Sequence, residues 1–199
     1  MIRIKRFILI LGSCLLVFLL LFFTHEFGHA ILVLLKGGGI SKIVVPPGYE
    51  VYPEFGKKEF LHLLQTGHFT TYWPDKYEPS NFEYGFIKFY GAGFTLSISF
   101  VSVVFLWVFK PKGIKKNIIM IFSFFVLDIF TYSLFPMIGL PSRLFIGGHF
   151  AEPVEGLMKM GLSKAFAFCS IMICVILIVI LIFLFIKKYP SSKESILDN

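Results

Sequence analysis

Charge is scarce in this chain. Acidic and basic residues together make up only 16% of 199 residues, against 56% hydrophobic, and the mean hydropathy is +0.80. That balance excludes a soluble globular domain. The sequence also lacks internal repeats, low-complexity tracts and any polar stretch long enough to fold apart, so residues 1–199 read as a single integral membrane domain. Cysteine is rare: Cys14, Cys169 and Cys174 all lie in apolar runs, where thiols act as small hydrophobes, and this argues against a disulfide framework. Basic residues interleaved with aromatics on one face are missing too, which excludes nucleic acid as a partner despite a net charge of +7.

What is present is a set of long apolar runs. Four meet the roughly 20 residues needed to cross a bilayer: about 7–35, 86–109, 117–139 and 164–186. The expected fold is therefore an all-α polytopic membrane protein of about four spans. The basic residues flank these runs as topology signals. Arg3, Lys5 and Arg6 precede the first, Lys110, Lys112, Lys115 and Lys116 separate the second from the third, and Lys187 and Lys188 follow the fourth. With four spans all three clusters share one side, which predicts cytoplasmic termini and an extracytoplasmic loop over 36–85. The basic start resembles a signal peptide, but the apolar run continues well past Cys14, so an uncleaved first span is expected. Short loops and the lack of a transit peptide point to a prokaryotic plasma (inner) membrane.

Between the first two spans, Gly37-Gly38-Gly39 should end the helix, and Ile40 to Val45 reads as a strand stopped by Pro46-Pro47-Gly48. Val51-Tyr52 can return antiparallel, giving a small surface β-hairpin whose edge at 40–45 could receive an extended peptide. Residues 57–84 mix Leu, Phe, Tyr and Trp as interfacial segments do, which predicts a helix and loop at the water–lipid boundary. His62 and His68, in this segment, read as solvated or interfacial. The second span opens with Gly91-Ala92-Gly93, small residues that let another helix approach closely. The fourth has no ionisable residue over 165–186 and reads as a scaffold or lipid-facing helix.

Inside the first apolar run lies His25-Glu26-Phe27-Gly28-His29. On a helix, imidazoles at i and i+4 stand one turn apart on one face, where both can ligate one Zn²⁺, and the intervening Glu can reach a water that the metal activates. Three ionisable groups among Phe22, Phe23, Ile31 and Leu32 are costly in lipid, which favours a functional role over satisfied interior histidines. Catalytic zinc usually keeps three protein ligands and one open position, so a third ligand is needed. Asp128, mid-span among apolar residues, is one candidate; His149, after Gly147-Gly148 and beside Glu152, is the other. Depth along the helix favours His149. Either could also serve as an orienting neighbour of the true ligand.

These features resemble the site-2-protease family of intramembrane metalloproteases. The resemblance covers about residues 20–160: the motif with Ala30 after it, the Gly-rich break and strand, and Ala92-Gly93-Phe94-Thr95-Leu96-Ser97, which is similar to the family's AGPLxN stretch with Phe94 for Pro and Ser97 for Asn. Leu134-Phe135-Pro136 followed by Phe145-Ile146-Gly147-Gly148-His149 is similar to the family's LLP and LDGG segments, with Ile146 at the position of the ligand Asp. The resemblance implies a zinc-dependent endopeptidase acting on membrane-embedded or membrane-adjacent proteins, with Glu26 as general base, His25 and His29 as ligands, and Asp128 favoured as third ligand because the family uses Asp. The main alternative is a non-catalytic, protease-like membrane binding protein, which Ile146 supports. A metal transporter is disfavoured, because a conduction path needs polar groups on several spans.

Overall fold

The structure, a computed structural model, describes residues 2–45, 49–54, 68–75, 77–142 and 149–190, with only the backbone described up to residue 11. Helix α1 runs over Ile2–Leu35, followed by strands β1 (Gly39–Val45), β2 (Tyr49–Tyr52) and β3 (His68–Tyr72). Then come α2 (Asn81–Phe109), α3 (Gly113–Ser123), α4 (Val126–Met137), α5 (Glu152–Lys159) and α6 (Lys164–Lys188). Among the described residues, four stretches are long and apolar enough to span a membrane: Gly12–Leu35, Asn81–Phe109, Gly113–Met137 and Lys164–Lys188. The expected all-α polytopic class and the expected span count agree with this architecture.

The chain's punctuation explains the element ends. Gly37 takes a positive φ of 82°, and the Gly38 N–H reaches back to the Val33 carbonyl at 2.9 Å, closing α1 with a left-handed C-terminal turn. Helix α2 starts five residues before the expected span because Ser80 and Glu83 form a reciprocal capping box. Lys36 bridges to Glu83 at 3.1 Å, and Tyr77 also hydrogen-bonds that carboxylate, which ties the end of α1 to the start of α2. The Glu83 carboxylate beside it lifts the Lys36 ammonium above its ordinary pKa.

Helix α2 is the centre of the bundle and touches every other helix. Its small residues allow this. A Cβ on Gly28 of α1 would sit 2.8 Å from the Phe94 Cβ and 3.0 Å from the Gly91 Cα, so α1 and α2 cross nearly backbone to backbone, as the Gly91-Ala92-Gly93 opening predicts. A second such contact seats α5: Gly156 faces Gly85, and a Cβ on Gly156 would lie 2.6 Å from the Gly85 carbonyl oxygen. Helix α6 turns one stripe inward, through Ala167, Ile171, Val175, Ile178, Ile182 and Phe185, at spacings of three and four residues. It is a scaffold helix, with its remaining surface apolar and exposed.

The structure refines the sequence expectations in three places. The third span is interrupted at Phe124 and Phe125, which stay in the right-handed helical region but divide it into α3 and α4, so Asp128 falls in the first turn of α4. Residues 68–72, expected within an interfacial helix and loop, form β3, whose Phe69, Thr70, Thr71 and Tyr72 are strand formers; the remainder of that expected helix, with His62, lies outside the described residues. The expected hairpin is present as β1–β2, and β3 extends it to a three-stranded antiparallel sheet ordered β2-β1-β3. Strand β1 is therefore central: β3 pairs with it from Gly39 to Val44 and β2 from Ile43 to Val45, so the expected edge at 40–45 is taken on one side along most of its length and on both sides at Ile43 and Val44. The sheet packs on α1 through Phe69, whose ring meets Phe22 and Phe23 edge-on at centroid distances of 6.4 and 6.1 Å.

Candidate metal centre

The motif lies on α1 where that helix crosses α2. His25 is buried and His29 half-buried, one turn apart, with ring centroids 4.8 Å apart. Each imidazole is held by its Nδ1. His25 Nδ1–H donates to Asp128 Oδ2 at 2.6 Å, and its ring stacks on Tyr132 of α4 at 4.3 Å. His29 Nδ1–H donates to the Ile87 carbonyl of α2 at 2.6 Å. A carbonyl and an ionised carboxylate only accept, so both rings carry a proton on Nδ1, which leaves each Nε2 as the atom that can offer a lone pair to a metal.

Those two Nε2 atoms lie 3.1 Å apart, and Glu152 Oε2 stands 3.8 Å from that of His25 and 3.5 Å from that of His29. Three potential ligand atoms thus converge, and a divalent cation placed among them could take a lone pair from each. Ligands about 2.0–2.1 Å from a tetrahedral ion stand roughly 3.3 Å from one another, within the range seen here. The donor set therefore fits a divalent metal, and His25, His29 and Glu152 form the group of potential ligands among the described residues.

Glu152 reaches this place through α5. It lies in the first turn of that helix, four residues before Gly156, whose missing side chain lets α5 rest on α2. One turn along, Glu155 pairs with Lys88 of α2 at 2.8 Å and fixes the rotation of α5. Burial alone would raise the Glu152 carboxyl, but the imidazoles of His25 and His29 outweigh it and hold the group below the usual carboxylate range.

The sequence candidates are distributed differently from one another. Asp128 is buried on the far side of His25 from Glu152's approach, where its Oδ2 also lies 2.9 Å from the Thr95 hydroxyl. His149 is exposed in the segment leading into α5 and is not part of the converging group. Ile146 lies outside the described residues. Glu26 is half-buried beside the two histidines and accepts the Phe69 N–H of β3 at 3.2 Å. Ser97 donates to Gly93 O at 2.8 Å within its own helix, and Phe94 packs on Phe27. His68 begins β3, apart from the converging group. The cysteines are free.

Sequence reading passed over Glu152, Ile87 and Tyr132. Glu152-Pro153 does carry a local signal, an acid and a proline in a first helical turn, but that signal explains itself as helix initiation without any site. No family model matches the chain, and neither a curated protein nor a solved structure shows significant similarity to it. What the chain is must be read from its own geometry: a polytopic helical fold carrying a His/His/Glu metal-binding triad, consistent with an intramembrane metalloprotease-like fold in general.

Proposed function

We propose that this protein is a zinc-dependent intramembrane endopeptidase related to the site-2 proteases, with His25, His29 and Glu152 as metal ligands and Glu26 as general base. The observation that carries the reading is the convergence of two Nε2 atoms and one carboxylate oxygen, with both Nδ1 atoms committed to hydrogen bonds elsewhere. Zinc held there supplies Lewis acidity toward a scissile carbonyl and lowers the pKa of a water toward neutrality. Everything else is done by the chain. Asp128 holds His25 in the tautomer that keeps Nε2 available, and the Ile87 carbonyl does the same for His29. The Glu26 carboxylate takes the proton and returns it to the leaving amine, steadied by the Phe69 N–H. The substrates are membrane-embedded or membrane-adjacent proteins, reached within a bilayer in which the basic flanks set both termini in the cytoplasm.

The test is zinc content per folded protein, measured after detergent purification of the wild type and of Glu152→Ala, His149→Ala and Glu26→Gln. Near-stoichiometric zinc in the wild type, His149→Ala and Glu26→Gln, with loss in Glu152→Ala, is expected. Retention in Glu152→Ala with loss in His149→Ala would reverse the ligand assignment. Turnover of a model membrane substrate should fall at least about a hundredfold in Glu26→Gln. The alternative reading, a non-catalytic membrane binding protein, is favoured by Ile146 at the family's Asp position; it requires that wild type and Glu26→Gln be equally inert.

A further inference from the structure

At the opposite end of α2 from the metal centre, the fold gathers the lysines that flank the spans. Lys110 and Lys112 form the turn between α2 and α3, Lys115 and Lys116 open α3, and Lys187 and Lys188 close α6. Side-chain contacts draw these three elements together. Lys116 donates to the Tyr189 carbonyl, and the Lys188 ammonium lies over the Trp107 ring, 5.7 Å from its centroid. The Trp107 indole N–H donates to Leu181 O at 3.3 Å, fixing α2 against α6 at this level.

Among the described residues no acid balances them. The sequence has no Asp or Glu between Glu83 and Asp128, and none over residues 156–193. Lys110, Lys112, Lys115 and Lys187 are exposed and take part in no ion pair among the described residues. Directly below the cluster the helices turn exposed apolar side chains outward: Val108 is 63%, Phe109 65% and Ile114 75% exposed. Cations above and bare hydrocarbon beneath, with Trp107 and Tyr189 at the boundary, match an amphiphile that is anionic at its head and apolar along its length.

We propose that the α2–α3 turn and the end of α6 form a binding site for an anionic glycerophospholipid, its phosphate between Lys112, Lys115 and Lys187 and its chains along Val108 and Phe109. The site is independent of the metal centre. A soluble polyanion would use the charge but not the apolar wall below it, which is why a lipid is the occupant.

The chain contains two tryptophans, Trp73 and Trp107, at opposite ends of the helices. Full-length Trp73→Phe protein, which reports Trp107 alone, is reconstituted in phosphatidylcholine vesicles. These carry either dibrominated phosphatidylglycerol or dibrominated phosphatidylcholine at equal mole fraction. The anionic quencher should be about twofold more effective, and the difference should vanish in a Lys112→Gln/Lys115→Gln/Lys187→Gln variant. Equal quenching in the parent, or a preference that survives the triple substitution, overturns the site. Trp107→Phe protein, which reports Trp73, should show no preference; the same preference there would mean diffuse charge attraction and overturn it as well. Millimolar inorganic phosphate should leave the effect intact, since its loss would show that the lysines take the free ion and not the lipid.

Discussion

Gly91 lies flush against the imidazole of His29: a Cβ at this position would fall on the ring, 2.8 Å from Cδ2 and closer still to Nε2 and Cε1. The absence of a side chain on α2 is thus what lets a potential metal ligand on α1 take its place. Gly91→Ala should push the ring off its Ile87 hydrogen bond and weaken zinc binding by about tenfold or more, with overpacking of about 1–3 kcal/mol. Competition with a chromogenic chelator reads this directly. Gly12→Ala is the control, since a Cβ there meets nothing within 4 Å, and it should bind zinc as the parent does.

Asp128 should matter to zinc without touching it. Asp128→Asn keeps the shape but removes the charge that fixes the His25 tautomer, and metal affinity should fall roughly 10- to 100-fold. Unlike Glu152→Ala, it should leave stoichiometric zinc when the free metal is raised. Loss that excess zinc cannot reverse would make Asp128 a ligand in its own right.

Helix α5 is positioned by backbone contact. A Cβ on Gly156 would meet the Phe89 backbone N–H and the Gly85 carbonyl, neither of which can rotate away. Gly156→Ala should therefore shift α5 and strip zinc nearly as well as Glu152→Ala does. Lys88→Ala breaks an ion pair that is about one-third exposed on each side, so its cost should stay below about 1 kcal/mol, with zinc retained. Zinc analysis and thermal melting of both variants decide this.

The Ser133 hydroxyl is fully buried and has no hydrogen-bond partner among the described residues. Ser133→Ala removes an unsatisfied polar group and adds helix propensity, and should stabilise the protein by about 1–2 kcal/mol. A higher melting temperature at equal zinc content is the expected result; a lower one would mean that the hydroxyl is bonded in the bilayer.

Much of this architecture is legible in the residues. The apolar runs, the motif helix, its Gly37 end, the β1–β2 pairing and the close approach at Gly91 all follow from local composition and spacing. What escapes is long-range. Third-span hydropathy is continuous through Phe124 and Phe125, so no signal marks the turn that brings Asp128 to the head of α4. His68 to Tyr72 has strand-forming residues, but their partner, β1, is separated from them by residues 46–67, so the pairing has no local mark. Glu152 could not be told from an ordinary helix-opening acid, because its approach to His25 and His29 is decided by Gly85 and Gly156, two residues that carry no chemistry.

The hydrogen bond from Phe69 to Glu26 has a stereochemical outcome. With Oε2 already accepting an amide proton from the sheet, that oxygen keeps its carbonyl character, and a proton arriving on Glu26 is directed to Oε1. The two oxygens of one carboxylate become inequivalent, one anchored and one mobile. An infrared carboxyl band of the protonated side chain should be single and narrow, and it should broaden when Phe69 is replaced by proline, which has no amide proton to give.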